Sequence, residues 1–129
     1  MSQENVEQVR RGIQSVEAFW EMLDEHVVWD VRDFPGPDLA SVYVGRDEVI
    51  QGSRHYWGAW VDYSVEAEEI IDGGPSVFVL LRERGRGRSS GVPVDRRQYQ
   101  VWTFRRGRIV RWESFVSRAE ALEAAGLSE

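Results

Sequence analysis

QYQVWTFRRGRIVRWESFV, running from Gln98 to Val116, holds two β-rich runs on either side of Arg105-Arg106-Gly107 and reads as a hairpin. Its register matters because a one-residue slip sends every side chain to the opposite face of a sheet. A two-residue loop at Arg106-Gly107 needs φ > 0 at both positions, for which arginine is poorly suited. A three-residue loop, Arg105-Arg106-Gly107, asks this only of the glycine and closes with a bulge, so it is the expected turn. Phe104 then faces Arg108, and Gln100 faces Trp112. One face collects Gln98, Gln100, Trp102, Phe104, Val110, Trp112, Ser114 and Val116; the other carries Tyr99, Val101, Thr103, Ile109, Arg111, Glu113 and Phe115. Rings mixed with amides on one sheet face are what a small-molecule pocket needs.

At 129 residues, with 42% hydrophobic and 12% aromatic side chains, the sequence suits one folded domain over residues 1–129 with a substantial core. No apolar run reaches the roughly 18 residues of a membrane span, and MSQENVEQVRR lacks the hydrophobic region of a secretion signal. A cytoplasmic protein with no membrane partner is therefore expected. With no cysteine there is neither disulfide nor thiolate chemistry. All 16 basic residues are arginine, which removes Schiff-base chemistry on a lysine. A net charge of −6 argues against nucleic acid as a partner. His26 and His55 stand in neither metal nor triad spacing, so no metal and no cofactor are expected.

Val6, Val9, Ile13, Val16, Trp20 and Leu23 recur at helical steps, which predicts one helix over about Glu4 to Asp24, bent near Gly12 to Ser15 and capped by Ser2 or Asn5. HVVWDVR, His26 to Arg32, is a short strand, followed by turn chemistry from Asp33 to Asp38. A second helix starts near Asp47 and buries Val49, Ile50, Trp57, Trp60 and Val61, with Gly52 and Gly58 marking close packing. Strands follow at Tyr63 to Ile71 and Ser76 to Arg84 around a Gly73-Gly74-Pro75 turn, and Arg118 to Ala125 is a last helix stopped at Gly126. Helices first and antiparallel strands afterwards predict an α+β fold: a curved sheet wrapped around the N-terminal helices as a cone with space inside. The arginine-rich stretch 84–91 reads as a solvated hairpin loop or a loop contacting another subunit, and Glu68-Glu69 as a solvated strand edge.

Six segments, ENVEQVRRG (4–12), VYVGRDEVI (42–50), EEIIDGG (68–74), LLRERGRGRSSG (80–91), VWTFRRGRIVRWESF (101–115) and RAEALEAAGL (118–127), together resemble the SnoaL-like branch of the nuclear transport factor 2-like (NTF2-like) superfamily over nearly the whole chain. The resemblance implies the NTF2-like α+β cone. It implies no single activity, since the superfamily includes polyketide cyclases, ketosteroid isomerases, limonene epoxide hydrolases, dehydratases and non-catalytic proteins.

Asp30 falls where isomerase-like members place the carboxylate that shuttles a proton. The resemblance points it into the cone mouth, where desolvation among Trp57, Trp60, Trp102 and Trp112 raises its pKa; the alternative is a pairing with Arg32 or another arginine. Gln100 falls where ketosteroid isomerases carry an acid that helps hold an oxyanion. An amide cannot give up a proton, and the first helix has no tyrosine to serve as the second oxyanion donor. Gln98 and Gln100 either orient a ligand carbonyl or hydroxyl or satisfy buried backbone groups. The candidate ligand contacts are Trp57, Trp60, Gln98, Trp102, Trp112 and Ser114, and the expected ligand is a small apolar or aromatic, planar or polycyclic molecule. As an enzyme, the protein would be a cofactor-independent isomerase, cyclase or dehydratase with Asp30 and Gln100 as its catalytic residues; as a binding or dimerisation module it would use the same fold without turnover. The face of Tyr99, Val101, Ile109 and Phe115 is the expected homodimer surface.

Overall fold

The computed structural model describes residues 2–32 and 41–128, so the turn expected from Asp33 to Asp38 lies outside the described residues. The elements are α1 (Ser2–Gln14), α2 (Val16–Met22), β1 (Leu23–Asp30), β2 (Val42–Val44), α3 (Arg46–Gly58), β3 (Trp60–Asp72), β4 (Ser76–Gly87), β5 (Pro93–Arg105), β6 (Arg108–Phe115) and α4 (Arg118–Ala124). The strands form one sheet in the order β2-β1-β6-β5-β4-β3. The α+β expectation holds, with one refinement: β1 runs parallel to β6, so the sheet is mixed, while the remaining neighbours are antiparallel. Register shifts in β3 between Val61 and Ser64 and between Ala67 and Glu69, with Asp62 at φ 56, mark bulges. A bulge bends its strand and increases the local twist, which curves the sheet.

The hairpin departs from the expected register. Arg105 pairs with Arg108, so the loop has two residues, and both Arg106 (φ 53) and Gly107 (φ 76) are left-handed. This turn matches the right-handed twist of its strands, a gain that outweighs the cost of about 1 kcal/mol for an arginine at positive φ. The bulge lies further on, where Val110 is the extra residue between the Phe104–Ile109 and Thr103–Arg111 pairs. Gln100 therefore faces Ser114, not Trp112, and Trp102 faces Trp112. Beyond the bulge the pairing differs from the expected one by two residues, an even shift that leaves every side chain on its expected face. Between turn and bulge the shift is odd, so Ile109 rather than Val110 is buried beside Phe104. Val116, expected on the inner face, lies beyond the end of β6 and is exposed.

The single N-terminal helix of the sequence reading is two helices. Ser15 is extended (φ −144), and its hydroxyl accepts the Ala18 N–H as the cap of α2, an arrangement contributing about 1 kcal/mol. Asn5 is no cap; its amide donates to the Gly74 carbonyl and ties α1 to the β3–β4 turn. In α3 the buried positions are Val49, Gly52, Ser53 and Tyr56, one helical stripe, and Trp60 and Val61 belong to β3 instead. Gly52 is a close-packing glycine, since a Cβ there would come within 2.5 Å of the Tyr43 ring, but Gly58 has nothing within 4 Å.

The main core lies between the inner sheet face and the helices. Val77, Val79 and Leu81 of β4, Trp102 and Phe104 of β5, and Ile109 and Trp112 of β6 meet Val6, Val9, Phe19, Met22 and Val49 there, each burial contributing about 1.5–3 kcal/mol. A smaller core on the reverse face packs Phe78, Val101 and Phe115 under Ala121, Leu122 and Ala125. This corrects the expectation of an open homodimer face. Val101 is fully buried and Phe115 nearly so beneath the protein's own C-terminal helix, and Ile109 belongs to the inner core.

Candidate functional site

Alternation along the strands puts Val77, Val79, Leu81 and Glu83 of β4 on the inner face, beside Gln98, Gln100 and Trp102 of β5 and Trp112 and Ser114 of β6. Between this face and the helices lies a cavity of about 340 Å³. Among the described residues seven aromatic ones line it: Phe19, Trp29, Tyr56, Trp57, Tyr63, Trp102 and Trp112. Val16 and Ser64 line it while exposed to solvent and so mark its open side. The rings are locked against one another. Trp29 stacks on Trp112 at 4.4 Å between centroids and on Tyr43 at 4.8 Å, and Phe19 presents an edge to Trp112 at 4.7 Å.

A chain of hydrogen bonds crosses this apolar wall. Trp102 Nε1 and Trp112 Nε1 both donate to Gln100 Oε1, at 2.8 and 3.0 Å. Gln100 Nε2 donates to Gln98 Oε1 at 3.1 Å, and Gln98 Nε2 to Glu83 Oε2 at 3.2 Å. Glu83, 1% exposed, also accepts from Tyr56 Oη at 2.9 Å, from Tyr63 Oη, and from Arg96 Nε at 2.7 Å. An indole N–H only donates and a carboxylate only accepts, so both ends of the chain turn the two amides the same way. Burial first, and then the charge of Glu83, pushes the Tyr56 and Tyr63 phenols well above their ordinary range, so both remain protonated donors. Ser114, buried opposite Gln100, has no hydrogen-bond partner for its hydroxyl among the described residues.

Of the residues expected at the site, the structure brings Trp57, Gln98, Gln100, Trp102, Trp112 and Ser114 to the cavity. Trp60 is not in the wall; it packs against Tyr56 and Tyr63, and its buried indole N–H has no partner among the described residues. Asp30 stands apart. As the neighbour of inward-facing Trp29 it points to the outer face, where it accepts from Arg32 Nη2 at 2.7 Å and from Arg111 Nη2 at 2.8 Å. The Arg32 hydrogen bond outweighs burial and holds the Asp30 carboxyl below its ordinary 3.8, which corrects the expectation of a raised value in the cone mouth.

Glu83 and Arg96, which hold Tyr56 and Tyr63 at the wall, form the part that the sequence reading missed as a site. Glu83 had a signal: it continues the inward series Val77, Val79, Leu81 two residues on. Among six charged or glycine neighbours it looked like one more surface charge. The rest of the arginine-rich run is a ladder of ion pairs, Arg82–Asp95, Arg86–Asp62 and Arg97–Glu68, with Arg118–Glu69 beyond it; Glu68-Glu69 is thus a paired edge. Arg88 donates to the Gly58 and Trp60 carbonyls. His26 and His55 are exposed. Among the described residues no cluster of three or more metal-ligating side chains occurs, and no helix is long and apolar enough to cross a membrane.

The sequence profile of the SnoaL-like domain matches residues 7–112. No curated protein sequence gives a significant match. Among solved structures, an NTF2-like protein of unknown function from Burkholderia pseudomallei is 24% identical with a TM-score of 0.75, over 93% of this chain and 95% of its own. A protein of Jannaschia sp. CCS1, provisionally named a SnoaL-like polyketide cyclase, is 17% identical with a TM-score of 0.77, over 95% and 91%. TerC, crystallised with polyporic acid, is 18% identical with a TM-score of 0.74, over 95% and 98%. At these identities the likeness is one of fold.

Proposed function

The chain belongs to the SnoaL-like domain family, and from that premise we propose that it binds a planar aromatic or polycyclic small molecule between the inner sheet face and the helices. The observation that carries the proposal is the wall of the cavity: among the described residues, seven aromatic residues, two amides and two serines line it, and no Asp, Glu, His or Arg does. A flat ring system entering such a space gains roughly 25 cal/mol for each Å² of apolar surface removed from water, and the offset and edge contacts with the indoles add to it. Solved structures of this fold with names such as polyketide cyclase and isomerase are consistent with small-molecule chemistry.

Holding the molecule without turnover is the better-supported form. A cofactor-independent isomerase, cyclase or dehydratase needs a proton acceptor at the ligand, and Asp30 is committed to two arginines on the other face. Glu83 is separated from the ligand by the tyrosines and already accepts from four donors. The test is a titration of the protein with fluorene, a neutral three-ring hydrocarbon, followed by tryptophan emission. Saturable binding is expected, weakened about tenfold in Trp57→Ala, whose side chain lines the cavity and is only partly buried. A folded protein whose emission fluorene leaves unchanged, and which retains none in equilibrium dialysis, refutes the proposal.

A further inference from the structure

Resting on that reading of the cavity, we propose that Gln100 makes it selective for a neutral ring system bearing a hydrogen-bond acceptor, a ketone or quinone oxygen, over one bearing a donor. The carbonyl oxygen of Gln100 has two lone pairs, and the indoles of Trp102 and Trp112 take both. Its amide nitrogen gives one hydrogen to Gln98, whose own nitrogen is drawn to Glu83. Flipping the Gln100 amide would set its N–H groups against two indole N–H groups and its oxygen against Gln98 Oε1, three contacts between like partial charges at 2.8–3.1 Å. The amide is therefore fixed in one orientation, and what it has left to offer is a single N–H.

Gln100 is 5% exposed and lines the cavity. A buried donor without a partner is costly, and a ligand oxygen placed against it recovers the lost bond, whereas a ligand N–H leaves two donors facing each other. The neighbouring Ser114 hydroxyl can give or accept and so does not discriminate, while Trp29 Nε1, a lining indole donor with no partner among the described residues, would act in the same sense as Gln100 and is separated from it by the Gln100→Glu variant. The phenol protons of Tyr56 and Tyr63 are already on Glu83. Among the described residues no cationic side chain lines the wall, so a carboxylate would be stripped of water without a counter-charge, and the favoured oxygen is that of a neutral carbonyl.

Fluorene, 9-fluorenone and carbazole share one three-ring frame and differ at one position, which is CH2, C=O or N–H. Equilibrium dialysis of each against the wild-type protein is expected to show fluorenone bound about tenfold more tightly than carbazole. In Gln100→Glu the carboxylate still accepts from both indoles but offers no N–H, so the preference is expected to vanish or reverse, folding being checked by circular dichroism. Equal affinities, or carbazole ahead of fluorenone in the wild type, overturn the inference and leave the binding proposal standing; if none of the three binds, both fall. A preference that survives in Gln100→Glu belongs to another donor, the Ser114 hydroxyl if it collapses in Ser114→Ala and the Trp29 indole if it does not, and overturns the role given to Gln100. If Gln100→Glu does not fold, the wild-type order decides.

Discussion

Glu83 and Asp30 are carboxylates on opposite faces of the same sheet, each bound to arginine, and they differ in what surrounds them. Glu83 gathers Tyr56 from α3, Tyr63 from β3, and Arg96 and Gln98 from β5, so one buried oxygen pair ties a helix to two strands and anchors the amide chain that reaches the cavity. Asp30 binds Arg32, two residues along the chain and with its side chain 63% exposed, and Arg111 on the neighbouring β6. Both carboxylates are buried, but removing Asp30 leaves behind arginine side chains that are 63% and 38% exposed and can be rehydrated, whereas removing Glu83 leaves the buried donors of Tyr56 and Gln98 behind. The same functional group thus holds buried donors on one face and solvent-reaching arginines on the other.

Removing each carboxylate in turn measures that difference. Glu83→Ala removes the shared acceptor of Tyr56, Tyr63, Gln98 and Arg96 and is expected to cost about 3–5 kcal/mol in urea unfolding. A loss below about 1 kcal/mol would mean that the cluster is not an anchor. Asp30→Asn is expected to cost about 1 kcal/mol and to leave fluorene affinity unchanged; loss of ligand binding or of a measurable turnover in this variant would return Asp30 to the site. The pH dependence separates them further. Because the folded-state pKa of Asp30 is lowered, its contribution is present above the ordinary 3.8 and is lost as pH falls through the lower folded value. The stability gap between wild type and Asp30→Asn should therefore be level from pH 7 to about 5 and shrink below about pH 4. The smallest effect is expected at the turn joining the two strands of the cavity floor: Arg106→Asn places a residue tolerant of positive φ at φ 53 and should raise stability by about 0.5 kcal/mol.

The hairpin shows how much of this was legible. Alternation from Gln98 to Ser114 correctly placed Gln98, Gln100, Trp102, Trp112 and Ser114 on one face even though the turn was misjudged, because the register error was even in number beyond the bulge. The turn was misjudged because arginine's reluctance at positive φ is a small energy, and the twist of two long strands overrode it. Asp30 was misplaced by one residue of phase: the inward positions of β1 are Val27 and Trp29, with Val31 next, and the residue between the last two must face out. Gly126 was readable as a helix boundary because a cap acts on its nearest neighbours, whereas Ser15, read as part of a bend in one helix, is the cap that divides it in two.

The sequence alone determined the α+β class, the order of its elements apart from the α1–α2 break and β2, and the mixture of rings and amides on the inner face, since these follow from local periodicity and composition. Tertiary structure alone decided that Glu83 finds partners 13 to 27 positions away, that α4 closes the reverse face, and that Asp30 meets Arg111 across 81 residues. A strand's alternation specifies which side a residue takes; the curvature of the sheet and the docking of helices specify what it meets there, and those depend on contacts that no short window of sequence contains.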